Sequence, residues 1–485
     1  MTDVVLATIN ARYSHCAFGL RYLRANLNQG RESAKILEFG LEEWPDRIVE
    51  AILAEDPKVV GLGVYIWNVE LMGEVTSLLK GIRPELPLVL GGPEMIAVDD
   101  LPAWAHQADF VVSGEGELVF AGLCDDLLAG KIPEEKFRAG RVDDLSTLRL
   151  PYAEYTEEDI AQRTLYVESS RGCPYGCEFC LSSLDRKVRR FPMAQVLGAL
   201  EDLWRRGARS FKFVDRSLHL AESEELLDFF LKRRDEPGLF VHFELVPEAL
   251  DENMLDALSG FSLNSLQLEV GVQSFNPDVC ARIGRKISAD KVEQALLVLR
   301  DKTQAHIHAD LVLGLPGETW ESVKDSFDRL FALRPDEIQV GILKRLRGVA
   351  IARHDEAFGM VYRDRAPYDV LQTGELSFAR MQRLKRFARG FERMVNSGNF
   401  HSSAARLLEG PSAFDAFMAF SDWLFERTLQ DVGMSISRKT GMIFDYLTEV
   451  LGVDESEAAG GLAADFDRLG RKKGLPEKVR RWAGL

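Results

Sequence analysis

The sequence predicts an α/β protein built from two unlike strand–helix units, and three observations carry that reading. Over the first 130 residues, short apolar runs alternate with amphipathic stretches of helical length. Between Thr164 and about Leu343 six further strands recur, and within several of them apolar and polar residues alternate. The length of 485 residues, at roughly 150 per domain, leaves room for about three domains.

In the first unit, strands are expected at Val4–Ile9, Ala34–Phe39, Val59–Val64, Leu86–Leu90 and Phe110–Val112. Helices such as Ile48–Ala54 and Glu70–Lys80 separate them, which implies a parallel sheet covered on both faces. Each strand ends in a polar or glycine-rich turn: Asn10-Ala11-Arg12-Tyr13-Ser14-His15, Tyr65-Ile66-Trp67-Asn68, Gly91-Gly92-Pro93-Glu94 and Gly114-Glu115-Gly116-Glu117. Any one of these reads equally as a plain turn. Four in register suit a cofactor platform, because open sheets bind ligands at the carboxyl ends of their strands. No G-x-G-x-x-G follows the first strand, so a nicotinamide cofactor is not expected.

The second unit has candidate strands at Leu165–Ser170, Phe211–Asp215, Phe240–Val246, Leu266–Gly271, Ile307–Leu313 and Ile338–Leu343. Helical stretches fill the gaps, at Ala194–Arg206, Ser223–Arg234, Asp251–Leu258, Lys291–Arg300 and Ser322–Leu333. Val241, Phe243 and Leu245 share one face, with His242 and Glu244 opposite; Ile307, Ala309, Leu311 and Leu313 oppose His306, His308 and Asp310. A parallel sheet buried on both faces reads as continuous apolar residues. These strands do not, so one face meets something polar: a partial barrel with a ligand-filled lumen, or in places edge strands facing solvent.

Composition narrows the class without naming a chemistry. Acids exceed bases by 76 to 60, a net −16, which does not invite nucleic acid or an anionic membrane. No apolar run approaches the ~20 residues that span a bilayer, and Met1-Thr2-Asp3-Val4-Val5-Leu6 lacks the basic start of a signal peptide. The expectation is a cytoplasmic protein.

Three of the six cysteines lie within eight residues, in Arg171-Gly172-Cys173-Pro174-Tyr175-Gly176-Cys177-Glu178-Phe179-Cys180. Pro174 and Gly176 make a helix here unfavourable, so the thiols project from an irregular loop after the unit's first strand. Three thiolates hold three irons of a 4Fe-4S cluster and leave the fourth open. Structural zinc is the alternative, but it wants four ligands and the chain has no second Cys-x-x-Cys or His pair. Cys16, Cys124 and Cys280 are isolated and read as small core residues.

Cys173-x3-Cys177-x2-Cys180 with Phe179 before the last cysteine resembles the signature of the radical S-adenosylmethionine (SAM) superfamily. Segments 213–217, 244–248, 271–275 and 314–319 agree, and the preceding unit resembles the cobalamin-binding domain of the cobalamin-dependent branch. The resemblance covers about residues 1–345; the last 120 or so resemble a helical extension of some members. It implies a Rossmann-like (flavodoxin-like) cobalamin domain over 1–135, a linker over 136–160, a partial (β/α)6 TIM-type barrel over 161–345, and an all-α domain over 346–485.

The same resemblance implies that Cys173, Cys177 and Cys180 ligate the cluster and that SAM chelates the open iron. Phe179 and segment 214–217, including Val214 and Asp215, then meet SAM near its amino group; Glu244 falls at a ribose-contacting strand end; Gln273 and Ser274 line the site; Leu313 lies near adenine. For cobalamin the implied contacts are Asn10, Tyr13, Ser14, Tyr65, Trp67, Asn68, Gly91, Gly92, Pro93, Glu94, Gly114, Glu115 and Gly116. The Asp-x-His-x-x-Gly motif that supplies a histidine to cobalt is absent after the first strand, so Tyr65 and Trp67 would form an unligated floor. Ordinary packing aromatics is the other reading of that pair, and His15 and Cys16 stand as alternative ligands.

The implied activity is methylation of an unactivated carbon through methylcobalamin and a 5′-deoxyadenosyl radical. A cobalamin-assisted cyclase or rearrangement enzyme is the alternative, and a non-enzymatic cobalamin binder a third. The implied partners are a reductant such as flavodoxin or ferredoxin and a small-molecule or peptide substrate. His306, His308 and Asp310 either orient substrate or satisfy one another. The basic stretch Leu376–Met394 reads as a solvated helix face rather than an RNA patch.

Overall fold

The computed structural model describes residues 2–218, 220–286, 288–429, 433–470 and 474–485. Strands β1 (Val4–Ile9), β2 (Ala34–Phe39), β3 (Val59–Gly63), β4 (Leu88–Gly91), β5 (Phe110–Gly114) and β6 (Phe137–Gly140) form one sheet in the order β2-β1-β3-β4-β5-β6. Every pairing is parallel. All residues of β1 and β3 are buried, because helices Pro45–Ala54 and Val69–Ile82 cover one face and Phe18–Ala25 and Glu117–Leu128 the other. β6 is a correction to the sequence reading, which put residues 136–160 in a linker. Only four residues long and half-buried, β6 carries no periodic signal, yet Val111 to Gly114 pair with Phe137 to Gly140. The strand order reverses between β1 and β3, so the loops Asn10–His15 and Tyr65–Asn68 flank the switch point where such sheets bind ligands.

The second sheet runs β7 (Leu165–Val167), β10 (Ser210–Phe213), β11 (Phe240–Leu245), β12 (Leu266–Gln273), β13 (His306–Leu313) and β14 (Glu337–Ile342), again all parallel. β7 and β14 remain edges, so the barrel is open. A two-stranded hairpin, β8 (Ser170–Arg171) with β9 (Arg189–Arg190), frames the cysteine loop. Along β12 and β13 burial alternates residue by residue: apolar side chains pack under the helices and polar ones turn into the lumen.

The C-terminal region departs in one respect from an all-α expectation. β15 (Val361–Tyr362) and β16 (Val370–Gln372) pair antiparallel before the helices Phe378–Phe391, Ala413–Thr428, Ile436–Asp445 and Glu455–Arg468 begin. Phe387, Phe391 and Phe414 stack edge-on or tilted around Phe327 of the barrel helix Trp320–Ala332, with centroids 5.0 to 6.0 Å apart, so the helical region shares the barrel's core. The basic stretch inside Leu376–Met394 is a packed helix: Met381, Leu384, Phe387 and Phe391 are buried, and Arg383 pairs with Asp422 at 2.6 Å.

Buried ion pairs join the two sheets. Arg171, just before the cysteine loop, reaches Glu117 at 2.7 Å and Glu168 at 2.9 Å. Arg189 meets Glu115 at 2.8 Å, and Arg347, beyond β14, meets Glu94 at 3.1 Å. Glu94, Glu115 and Glu117 all follow strand ends of the first sheet, so those ends are held against the carboxyl-end loops of the barrel.

Candidate active site

The loop from Gly172 to Cys180 has no regular secondary structure, as Pro174 and Gly176 require. Its thiols are free and partly exposed, whereas Cys16, Cys124 and Cys280 are buried. The loop rests on the turn after helix Pro277–Arg282: the Glu178 amide donates to the Ile283 carbonyl at 2.9 Å. Gly284 holds φ +73° there, and a Cβ on it would strike the Gly176 carbonyl. Glycine is thus needed where the two loops touch.

Cys173, Cys177 and Cys180 open onto one cavity of about 140 Å³ at the carboxyl ends of the barrel strands. Three thiols from one loop on one cavity wall suit a cluster with three cysteine-held irons. Phe179, Glu244 and Gln273 line the same cavity, as the sequence reading expects of a SAM site.

Arg216, inside the expected segment 214–217, lines the wall, and three charged groups that sequence reasoning did not single out for this site complete it: Glu269, Arg285 and Lys286. Asp310, left undecided by the sequence, joins them. Arg216 donates to Glu244 at 3.1 Å. Arg285 is buried, donates to the Gly271 carbonyl, and points Nη1 at Cys177 Sγ, 3.6 Å away. Arg285 Nε is buried without a hydrogen-bond partner, whereas Asp310 Oδ1 lies 3.3 Å from His308 Nε2. Charged groups of both signs in one cavity wall, with a buried guanidinium nitrogen left unpartnered beside it, suit a polar ligand.

Burial pushes Glu244 up to about 7 despite Arg216, and raises Asp310 as well. Glu269 is held low, chiefly by its hydrogen bond from His242 at 3.0 Å. Deeper in the lumen His308 lies 3.3 Å from Asp310 and 3.5 Å from Glu337, and His306 lies 3.3 Å from Glu337. These groups therefore satisfy one another in part, with Asp310 the member that reaches the cavity.

The other expected SAM contacts stand off this wall. Asp215 is buried, and Ser169 and Ser170 donate to its carboxylate at 2.6 to 3.1 Å. It lines a neighbouring cavity of about 110 Å³ that also touches Glu244. The Val214 amide donates to the Val167 carbonyl, tying β10 to β7. Ser274 is buried and donates to Glu318 at 3.0 Å, while Leu313 is a core residue. Backbone contacts to SAM remain open to segment 214–217; the side chains of Asp215 and Ser274 are already spoken for.

At the first sheet, Tyr65 and Trp67 stack with centroids 4.6 Å apart and planes 7° from parallel. Trp67 Nε1 donates to the Ile9 carbonyl at 2.8 Å while 43% of the residue stays exposed, a flat plate over the switch point. Asn68 is fully engaged beneath it, with Thr8, Ile9, Gly63 and the Tyr65 amide. Asn10 donates to the His15 carbonyl and Glu38, and Tyr13 and Ser14 lie exposed, Tyr13 bonded to Glu158 and Gln162. His15 Nδ1 is 2.8 Å from the Tyr166 hydroxyl, and Cys16 is buried. Gly91, Gly92 and Pro93 end β4, and Gly114 to Gly116 lead from β5 into helix Glu117–Leu128. Glu94 and Glu115 are engaged by Arg347, Tyr368 and Arg189, so their carboxylates build the seam between the sheets. An exposed aromatic plate at a switch point, with glycine turns beside it, fits a large planar cofactor such as cobalamin.

Three family models match successive parts of the chain. The B12 binding domain model matches residues 4–124, the Radical SAM superfamily model residues 167–330, and a family described as a protein of unknown function residues 356–483. The chain is similar to an uncharacterized methyltransferase of Pyrococcus horikoshii, 26% identical over 333 residues, covering 63% of this chain and 71% of that protein. It is also similar to the cobalamin-dependent radical SAM methyltransferase TokK of Streptomyces tokunonensis, 26% identical over 335 residues, covering 60% of this chain but only 46% of TokK. Among solved structures the fold is like that of TsrM from Kitasatospora setae with cobalamin and a [4Fe-4S] cluster bound, with TM-score 0.58 at 18% identity over 76% of each chain. It is also like the cobalamin-dependent enzyme OxsB, with TM-score 0.61 at 15% identity over 100% of this chain and 84% of that one. With the B12 binding and Radical SAM superfamily models in sequence on one chain, the protein is an enzyme of the cobalamin-dependent radical SAM superfamily, whose cofactors are a 4Fe-4S cluster, SAM and cobalamin.

Proposed function

We propose that this enzyme transfers a methyl group to an unactivated carbon of a small-molecule or peptide substrate. The observation that carries the reading is the opposition of two sites: the cysteine cavity and the first sheet's strand-end loops meet across a seam pinned by Arg171, Arg189 and Arg347. The similarity to proteins described as methyltransferases supports it. When bound, the cluster and SAM supply one-electron chemistry and cobalamin supplies methyl transfer.

The chain's own residues bind, orient and exclude water. Cys173, Cys177 and Cys180 would hold three irons. Arg285 and Lys286 would offer cations to SAM's carboxylate, and Glu244 and Asp310 would accept from its ribose hydroxyls, with Gln273 beside them. Glu244, raised to about 7, gains acceptor strength as it ionises through neutrality. Phe179, Leu245 and Val246 form the apolar part of the wall and keep water from the reacting carbon. Tyr65 and Trp67 would pack against the cobalamin ring. No helix among the described residues is long and apolar enough to cross a membrane. Six free thiols suit the reducing cytoplasm, where a low-potential donor is available.

Anaerobic incubation with cell extract and methyl-labelled SAM tests the reading. The expected result is labelled product, with S-adenosylhomocysteine and 5′-deoxyadenosine formed in about equal amounts. Turnover that yields deoxyadenosine, no S-adenosylhomocysteine and no labelled product would refute it.

A further inference from the structure

We infer that the cationic segment Asp185–Arg190, packed against the cysteine loop, is the docking surface for an acidic, low-potential one-electron carrier protein. The inference rests on the proposed cluster at Cys173, Cys177 and Cys180. Asp185-Arg186-Lys187-Val188-Arg189-Arg190 packs four cations and one acid into six residues of a chain whose net charge is −16. Arg186, Lys187 and Arg190 are exposed, and Arg141 is exposed beside them. Among the described residues, Arg186 and Lys187 have no ion-pair partner. The acids that face this segment are already engaged: Asp185 pairs with Arg141 and Arg189, and Asp143 with Arg141. Leu184, 44% exposed, adds an apolar contact to the cationic rim.

The same segment contacts the cysteine loop directly. The Cys173 amide donates to the Asp185 carbonyl at 2.9 Å. The Lys187 carbonyl presses so closely on Gly172 that a Cβ there would strike it, and the Arg186 guanidinium lies over Gly176, 3.3 Å from where a Cβ would stand. The short stretch that carries Arg186 and Lys187 is thus held directly against the cysteine loop, so a carrier seated on it stands close to the cluster. In transfer the reduced carrier loses one electron and the cluster gains one; no bond forms or breaks. An acidic carrier approaching an acidic protein is repelled overall, so local positive charge at the entry point is what steers it to the right face.

The test is stopped-flow reduction of the reconstituted enzyme by reduced flavodoxin and, separately, by the reduced methyl viologen cation. Iron and sulfide content is measured first. Wild type should be reduced by flavodoxin more slowly as salt rises, and Arg186→Glu with Lys187→Glu should slow that step about tenfold or more at low salt. Methyl viologen should reduce the variant at least as fast as wild type. Arg186→Gln with Lys187→Gln, which adds no acid to the loop, gives an intermediate rate and covers the case in which charge reversal impairs cluster loading. Equal flavodoxin rates for wild type and the glutamine variant, or a wild-type rate insensitive to salt, would overturn the docking surface. Failure of the wild-type chain to hold iron would instead overturn the cluster reading on which it stands.

Discussion

The two parallel sheets of this enzyme share a topology class and differ in where they accept a ligand. In the first, β1 and β3 are buried at every position and, apart from Thr8 bonded to the Gly63 carbonyl, carry only glycine and aliphatic side chains between the helix layers. Its chemistry is confined to the loops at the strand ends. In the second, β12 and β13 alternate buried and half-buried residues, so the polar half of each strand lines a lumen. The lesson is that strand patterning reports the location of the site: continuous apolar strands push it to the rim, alternating strands draw it inside.

The largest expected effect separates the two sites. Replacing Cys173, Cys177 and Cys180 together by alanine should abolish iron, sulfide and the brown absorbance while cobalamin still binds; loss of both cofactors together would collapse the distinction between rim and lumen. Arg171→Met tests the seam. It leaves Glu117 and Glu168 buried without their cation, and denaturant unfolding should show a loss of about 3–5 kcal/mol.

Within the sheets, Leu6→Ala on β1 and Leu311→Ala on β13 should each cost about 2–5 kcal/mol, because both side chains are buried under helices. Gln267→Ala, on the lumen face of β12, should cost less than about 1 kcal/mol. Equal losses at Leu311 and Gln267 would mean the lumen is packed like the outer face.

Glu318 gives a subtler contrast of charge. Burial pushes it up to about 8, so the folded protein holds a proton there that the unfolded chain releases near 4.5. The folded state binds the extra proton between those values, and its contribution to stability is present below about 4.5 and lost as pH rises toward 8. Glu318→Gln should therefore flatten the fall in melting temperature over that window. The smallest effect is none at all: His15→Ala should leave the paramagnetic spectrum of the cob(II)alamin form unchanged, and loss of a nitrogen splitting would place His15 on cobalt.

Much of this was legible in the sequence, for physical reasons that differ by element. The cysteine triad is local, so spacing alone brought Cys173, Cys177 and Cys180 to one wall. Glu244 and Gln273 came from the family resemblance rather than from strand alternation, and both reach the cavity. Arg285 and Glu269 were missed because their partners lie on other strands or loops and no spacing relates them. Asp215 looked like a site group and is instead a buried acceptor for Ser169 and Ser170, a pairing across 46 residues of sequence. Glu94 and Glu115 sat in glycine turns suggestive of a cofactor, yet their side chains are committed to arginines of the barrel. β6 escaped notice because an edge strand of four half-buried residues leaves no pattern.

The arginine seam also bears on how the modules part. Arg171, Arg189 and Arg347 each carry the charge that lets a glutamate of the first sheet be buried. A first module released from the barrel would turn Glu94, Glu115 and Glu117 outward as a hydrated acidic rim rather than a greasy scar. Separation is thereby made tolerable for each piece in water, while rejoining demands that three charge pairs find register at once. The joint behaves as a keyed coupling: soluble when open, and closed in one orientation.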